Sequence, residues 1–385
     1  MGEKTKMNKK FNIKNHLNYI VIGVALILFI LFDNLGVLGR SELGLLSRIA
    51  YSIVLAISLN LVVGFLGELS LGHAGFMCVG AYIGCYFANA LSTTVDNQLI
   101  VFVLSLFVGG TVSAIFGFII GLPALRLKGD YLAIVTLAFG EIVRNLFKNL
   151  PYFGAAKGMQ TNAIILDRRV MYIASFIIVL LVLFLIQNLI KSKHGRAITA
   201  IRDNEIAAKS MGINITYYKL FVFIFAAFFA GVAGVMYGHQ VSIITQSTFS
   251  YNYSIEILVM VVLGGMGSIN GSIIAATLIT YINFILQNEL SGELAALKLL
   301  IYAIILIIVV IFSNAPALKP FRERFNIKYL FNQIFKSHKK PEKINDDDAE
   351  WNRIETKIQM NELLSLDVQN SKSYTPDKPK KGDKN

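Results

Sequence analysis

The chain has 385 residues, of which 55% are hydrophobic and 16% are charged, and its net charge is +12. A soluble domain carries roughly 45–50% apolar and about 25% charged residues, so this composition excludes an ordinary soluble enzyme. Of the 60 charged residues, six lie in 1–16 and 26 in 317–385, which leaves 28 for residues 17–316. The middle of the chain is therefore predicted to be a membrane domain between two polar ends.

Long apolar runs in the middle of the chain predict an all-α, polytopic membrane helical bundle. A helix needs about 20 apolar residues to cross a bilayer, and a backbone in lipid must satisfy its own hydrogen bonds. About ten transmembrane helices are expected, with about eight as the lower count, because several runs are short or interrupted. In chain order the runs are 17–32, 44–63, 74–90, 99–122, 131–150, 170–190, 217–241, 254–265, 272–287 and 295–313.

The distribution of Lys and Arg predicts that both ends of the chain are cytoplasmic. With residues 1–16 inside and the tail counted over its first 20 residues, the predicted inner segments hold 17 basic residues and the outer ones hold 4, as the positive-inside rule requires. We expect a transmembrane domain at 17–316 with a cytoplasmic loop at 191–216, and a polar, partly disordered cytoplasmic tail at 317–385. The same clustering argues against a nucleic-acid partner, because the spans carry no basic face.

Two glycine-rich breaks interrupt the apolar runs, one in each half of the chain, at 64–75 and 264–272. Paired breaks of this kind are typical of a substrate path, because a broken helix exposes backbone groups. Each break could instead be an ordinary tight turn between helices. The candidate residues of a path or gate are Glu68, Ser70, Gly72, His73, Gly264, Gly265 and Gly267.

A few ionisable residues fall within the predicted spans, where charge is costly and therefore suggests function. Glu141 and Arg144 are three residues apart and can pair on one helix face, either as a structural ion pair or as a functional one. His239 and Glu256 bracket a predicted outer loop and are expected at the membrane interface. These groups are too few to favour a proton relay.

Three runs carry small residues at every fourth position, which predicts close helix packing within the bundle or against a second subunit. Cys78 and Cys85 lie in one of these runs and are expected to be small core residues without a disulfide. The three sets are Gly80, Gly84 and Ala88; Gly109, Ser113, Gly117 and Gly121; and Ala226, Ala230, Gly234 and Gly238.

The cytoplasmic loop at 191–216 is predicted to contain a short amphipathic helix. Asp203 or Asn204 can cap its start, Glu205 falls in its first turn, and Gly212 suits its C-terminal end. Such a helix could lie in a partner's groove or on the lipid surface. Its small apolar face comprises Ile206, Ala207, Ser210 and Met211.

Four stretches, in this order, match a known family. They include Gly-Glu-Leu-Ser-Leu-Gly-His-Ala-Gly at 67–75, Gly-Asp-Tyr-Leu-Ala at 129–133, Arg-Asp-Asn-Glu-Ile-Ala-Ala-Lys-Ser-Met-Gly at 202–212 and Gly-Gly-Met-Gly-Ser at 264–268. The chain resembles the permease subunits of branched-chain amino-acid ABC importers, specifically the M-type member of the paired permeases. The resemblance spans roughly residues 45–315.

The resemblance implies a multi-pass permease in the bacterial inner membrane that works with separate partners. A binding protein would deliver leucine, isoleucine or valine on the outer side, an H-type permease would complete the path, and two ATPase subunits would dock at the cytoplasmic loop. The chain has no Gly-x-x-x-x-Gly-Lys-Ser/Thr motif, so we expect no bound ATP, no other cofactor and no enzyme activity of its own. The implied coupling residues are Glu205, Ala207, Ala208 and Gly212, with Arg202 and Asp203 beside them.

Other interpretations stay open at this point. The solute could be an amide or urea, because related permeases look alike. An ion-coupled secondary transporter would need a line of intramembrane carboxylates, and a membrane sensor would need a folded output domain. The tail at 317–385 extends past the usual end of the family, and its role could be ATPase contact, regulation or neither.

Overall fold

The computed structural model describes residues 13–36, 39–127, 129–161, 164, 166–289, 303, 304 and 307. Almost all of these residues are α-helical, which confirms the predicted all-α membrane bundle. The predicted tail at 317–385 and most of the last predicted run, 295–313, lie outside the described residues.

The described residues form eleven α-helices and one short two-stranded ribbon, besides a π-helical segment and three short 3-10 helices. Nine of the ten predicted runs coincide with helices, and two further helices lie in the loop at 191–216. The helices are α1 (Ile13–Asn34), α2 (Arg40–Asn60), α3 (His73–Leu91), α4 (Gln98–Ala124), α5 (Asp130–Asn149), α6 (Arg168–Lys191), α7 (Lys193–Asp203), α8 (Glu205–Ser210), α9 (Ile215–Gly238), α10 (Tyr251–Gly264) and α11 (Ile269–Glu289). Strands β1 (Met159–Gln160) and β2 (Ile243–Ile244) pair antiparallel.

Six helices among the described residues are long and apolar enough to cross a membrane. They are α2 with its continuation to Leu66, α3, α4, α6, α9 and α11 up to Gln287. Apolar stretches of α1 and α10 are shorter, at Ile22–Asp33 and Tyr251–Gly264. The chain is therefore a multi-pass membrane protein, and the number of crossings stays a prediction.

The three sets of small residues pack against one another within the chain, on α3, α4 and α9. A Cβ atom added at Gly80 would lie 2.2 Å from the carbonyl oxygen of Gly231, and one at Gly234 would lie 2.1 Å from that of Met77. At Gly109 an added Cβ would lie 2.9 Å from the Gly80 oxygen. These backbones touch directly, so the three sets of small residues serve packing inside the bundle.

Helix α2 is the most buried of the long helices and positions the site described next. It packs against α6, α9, α10 and α11. The side chains of Ala50, Val54 and Leu55 have no exposed surface. Its polar Asn60 is also fully buried, at the end of the α-helical part.

Candidate functional site

The loop at 191–216 folds into two helices, α7 and α8, rather than the single predicted one. Ser192 caps α7 by accepting a hydrogen bond from the backbone N–H of His194 (3.1 Å). Asn204 caps α8 by accepting from the N–H of Ala207 (3.0 Å), as one of the two predicted alternatives required. Asp203 instead pairs with its neighbour Arg202.

Gly212 ends α8 with a left-handed conformation, at φ +81°. The N–H of Gly212 donates to the carbonyl of Lys209 (3.0 Å), and the N–H of Ile213 donates to that of Ala208 (3.1 Å). This pair of bonds is the Schellman arrangement, in which glycine avoids the steric cost of the left-handed region. The predicted C-terminal end of the loop helix is therefore present.

The first glycine-rich break is a real interruption of helical structure. A π-helical segment, Leu61–Leu66, continues α2, and Gly67 then turns the chain at φ +82°. Residues 67–72 form neither helix nor strand before α3 begins. The Thr136 hydroxyl accepts from the N–H of Leu71 (3.0 Å), so part of the exposed backbone is satisfied by α5.

The second break is a tight turn between α10 and α11, with Gly265 at φ +89° and Gly267 at φ +80°. The buried Asn60 side chain reaches this turn from α2. Its Oδ1 accepts from the N–H of Gly267 (2.9 Å), and its Nδ2 donates to the carbonyl of Ser268 (3.1 Å) and to Ser272 Oγ (2.9 Å). One amide side chain therefore holds the two breaks together.

Contact between the breaks is backbone to backbone at Gly64. A Cβ atom added there would lie 1.8 Å from Asn60 Oδ1 and 2.2 Å from the Gly267 nitrogen. Gly264 is similarly close to Gly271 across the second turn. Glycine is required at position 64 because any side chain there would push the first break away from the second.

Arg202 connects the loop at 191–216 to the junction of the two breaks, the contact between Gly64 and Gly267. Its Nη1 donates to the carbonyl oxygen of Gly64 (2.9 Å), and its side chain packs against Gly67. The same Nη1 lies 3.4 Å from the position of a Cβ at Gly267. A single arginine of the loop therefore touches the first break and lies beside the second.

A buried ion cluster forms a further link between the loop and the first break. Lys219 Nζ lies 2.5 Å from Glu68 Oε1 and 3.4 Å from Glu205 Oε2. The Lys219 side chain is 5% exposed and that of Glu68 is 12% exposed, whereas Glu205 is 33% exposed. Two carboxylates from different segments therefore share one cation near the start of α9.

The remaining predicted path residues of the first break lie inside the protein. His73 Nε2 lies 2.7 Å from Ser58 Oγ, and both residues are buried. Ser70 is buried, and its hydroxyl has no hydrogen-bond partner among the described residues. A Cβ atom at Gly72 would lie 2.4 Å from the carbonyl oxygen of Thr136. These residues pack the break against α2 and α5.

The predicted pair of Glu141 and Arg144 is formed, with Arg144 Nη2 2.5 Å from Glu141 Oε2. The other carboxylate oxygen of Glu141 accepts from the backbone N–H of Tyr251 (3.1 Å). Tyr251 is the first residue of α10, where a negative charge stabilises the helix dipole. The pair thus fastens α5 to the start of α10, on a different part of the fold from the loop.

Comparison with known proteins identifies the family to which the sequence is similar. Residues 42–310 match the family described as the permease component of the branched-chain amino acid transport system. The high-affinity branched-chain amino acid transport system permease protein LivM of Salmonella typhimurium is 31% identical over 329 residues, which cover 75% of this chain and 72% of that protein. The LivM protein of Escherichia coli K12 is 32% identical over 311 residues, or 72% and 69% of the two chains.

A shorter similarity, to the ribose import permease protein RbsC of Escherichia coli K12, is 29% identical over 126 residues and covers 31% of this chain and 38% of that protein. No solved structure matches the chain. The family match spans well over half of the sequence and contains both breaks, the loop and Lys219. The chain therefore belongs to the permease components of branched-chain amino acid transport systems.

Proposed function

We propose that this chain is one of two permease subunits of an ATP-driven importer for leucine, isoleucine and valine. The relatives that cover most of the chain are named as branched-chain amino acid permeases, which supports the substrate class. The importer also comprises an H-type permease, two ATPase subunits and an amino-acid-binding protein on the outer side. ATP binds to the ATPase subunits and not to this chain.

The observation that carries the proposal is the set of contacts between the cytoplasmic loop and the membrane helices. Arg202 of α7 holds the backbone at Gly64, and Glu205 of α8 shares Lys219 with Glu68. A rigid-body shift of the loop would therefore pull on the first break at two points. Packed elements of this kind transmit a displacement because they cannot deform continuously.

The loop also presents an apolar surface suited to an ATPase subunit. Ile206 and Met211 on or next to α8 are 80% and 82% exposed, whereas Ala208 between them is buried. Two large apolar side chains on a short helix fit a hydrophobic groove of a partner protein. In this arrangement the exposed pair binds the ATPase, and the opposite side of the loop holds the break.

This function fixes the orientation of the chain. The loop at 191–216 faces the ATPase subunits and is therefore cytoplasmic. We also expect the ends of the chain, 1–16 and 317–385, on this side of the inner membrane because of their Lys and Arg content. Arg40, at the start of α2, then lies toward the outer side, where the binding protein delivers its amino acid.

Purification of the chain in mild detergent, followed by reconstitution in vesicles with its partners, tests the proposal. We expect a second permease and two ATPase subunits to co-purify, and L-leucine uptake to require ATP and the loaded binding protein. Uptake driven by a proton or sodium gradient in the absence of any ATPase would instead support a secondary transporter. In that case the loop helices would be surface helices without a coupling role.

A further inference from the structure

A polar cavity lies within the chain, away from the loop and the breaks. It has a volume of about 320 Å3 and is bounded by α2, α9, α10, α11 and the segment between α9 and α10. Its residue Arg48 precedes Gly64 by 16 positions in one continuous helix, roughly 24 Å at about 1.5 Å per residue. The cavity therefore belongs to the opposite end of α2 from the coupling contacts.

Two opposite charges from different helices line this cavity, Arg48 of α2 and Glu256 of α10. Arg48 Nη1 donates to Gln287 Oε1 (3.1 Å), and Asn283 Nδ2 donates to a Glu256 carboxylate oxygen. Neutral amides thus orient both charged groups at the wall. Opposite charges on two walls of one cavity suit a ligand that carries both a negative and a positive group.

A third wall residue, Thr280 of α11, offers an unused polar group. It is 3% exposed, and its hydroxyl has no hydrogen-bond partner among the described residues. A buried hydroxyl without a partner is rare in folded proteins and calls for a ligand or water that completes it. The nearby rings of Tyr51 and Tyr237, packed edge to face at 5.9 Å, give the cavity an apolar side as well.

A second cavity shares Arg48 with the first. It measures about 310 Å3 and includes Arg40, the first residue of α2, and Arg168, the first residue of α6. Three arginines, Arg40, Arg48 and Arg168, therefore line the second cavity, and Arg48 also lines the cavity that contains Glu256. Such a basic lining attracts the carboxylate of a small solute.

We propose that the first cavity binds the zwitterionic backbone of a free amino acid on its way through the chain. Arg48 donates to the α-carboxylate, Glu256 accepts from the α-ammonium group, and Thr280 completes the polar contacts. The volume falls at the low end of small-molecule pockets, roughly 300–1,000 Å3, which suits a single amino acid. The inference rests on the proposed function and assigns residues of this chain to its substrate.

Ligand-observed NMR on the assembled permease–ATPase complex in lipid nanodiscs, without the binding protein, tests this assignment. Saturation-transfer difference spectra are recorded with L-leucine, with 4-methylpentanoate, which lacks the ammonium group, and with L-leucinamide, which lacks the carboxylate. We expect the Kd of L-leucine to be about tenfold or more below that of either analogue, because each loses a charge-assisted contact.

Variants of the wall provide the second readout. Arg48→Gln and Glu256→Gln are expected to raise the Kd for L-leucine about tenfold or more, and Thr280→Val by about two- to tenfold. Thr280→Val keeps the volume of the side chain, so the fold is preserved. The matched control is Thr277→Val on the same helix, because the Thr277 hydroxyl already donates to the carbonyl of Ile273 (2.8 Å).

Equal binding of the three probes, or no binding of L-leucine, would overturn the inference, as would equal effects of Thr280→Val and Thr277→Val. ATP-dependent uptake by the same preparations separates this result from a failure of the proposed function. Unmodified complex that takes up L-leucine, together with unchanged binding in the Arg48 and Glu256 variants, would reject the cavity alone. Absence of ATP-dependent uptake in the unmodified complex would reject the importer function.

Discussion

Lys219 binds two carboxylates, and the two contacts differ in burial and distance. The contact with Glu68 is short and nearly inaccessible to solvent. The contact with Glu205 is longer, and the Glu205 side chain is about one third exposed. Breaking a buried pair costs about 3–5 kcal/mol because a charge is left without compensation. An exposed pair is worth about 0–1 kcal/mol. The first contact therefore serves stability, and we expect the second to be the one that changes during transport.

We predict that Glu205→Gln leaves the fold almost unchanged but lowers the amount of L-leucine transported per ATP. Lys219→Met should instead lower the melting temperature in detergent strongly, because Glu68 stays buried without its cation. Glu42→Gln, which removes an exposed carboxylate from the first turn of α2, is the control and should behave like the unmodified chain. An unchanged transport ratio in Glu205→Gln would contradict the role of this contact.

Local sequence patterns predicted some of these residues and missed others. Glu205 and Gly212 could be predicted because the two ends of a capped helix leave a recognisable spacing in the sequence. Lys219 was missed because it lies in an apolar run that counts as the start of a span. Asn60 was missed because its partners, Gly267 and Ser268, are more than 200 residues away, and no local pattern reports such a contact. Glu256 lines a cavity, which no local pattern predicted, and its expected position at the membrane interface stays a prediction.

At the scale of elements, the two breaks depend on a close approach at Gly64. Gly64→Ala should push Asn60 and Gly267 apart and destabilise the protein by roughly 1–3 kcal/mol, as overpacking does. We expect uptake to fall more than the amount of folded protein. Gly44→Ala on the same helix is the matched control, because a Cβ there meets only Gln240 Nε2 at an ordinary 3.6 Å. Equal uptake in the two variants would argue against a role of the junction.

The end of α8 offers a second test at this scale. Gly212→Pro cannot adopt φ +81° and loses the N–H that donates to Lys209, so the end of α8 should unravel. We expect the protein to reach the membrane while ATP hydrolysis is uncoupled from uptake. Gly212→Asn should retain coupling, because asparagine tolerates the left-handed region and no atom lies within 4 Å of its Cβ. Normal uptake in Gly212→Pro would remove α8 from the coupling path.

Hydropathy predicted nine helices of the bundle well, because a helix in lipid must be apolar over its length. It gave a single helix in the cytoplasmic loop, where the structure has two. The sharp turn from α6 to α7 explains the difference. Ser192 caps α7 there, and Gly195 lies so close to Ile190 that an added Cβ would be 2.0 Å from its carbonyl oxygen. Apolar content does not report where a polar loop helix separates from the span that precedes it.

For the whole molecule, we predict that both ends of the chain are cytoplasmic. A reporter that is active only in the cytoplasm, fused after residue 385, should be active, as should one fused before residue 1. A reporter active only outside the cytoplasm should be silent at both positions. Activity of the latter at the C-terminus alone would mean an odd number of crossings and would require a revised topology.

The direct backbone contacts of α3, α4 and α9 have a mechanical consequence. Where Gly80 touches Gly231 and Gly234 touches Met77, no side chains lie between the helices to be compressed or to change rotamer. Such a block is stiff, so its helices should move together as one lever. Lys219 and Tyr237 lie 18 residues apart on α9, roughly 27 Å at about 1.5 Å per residue. We therefore expect a displacement of the ion cluster to move α9 as a unit, including Tyr237 at the wall of the first cavity.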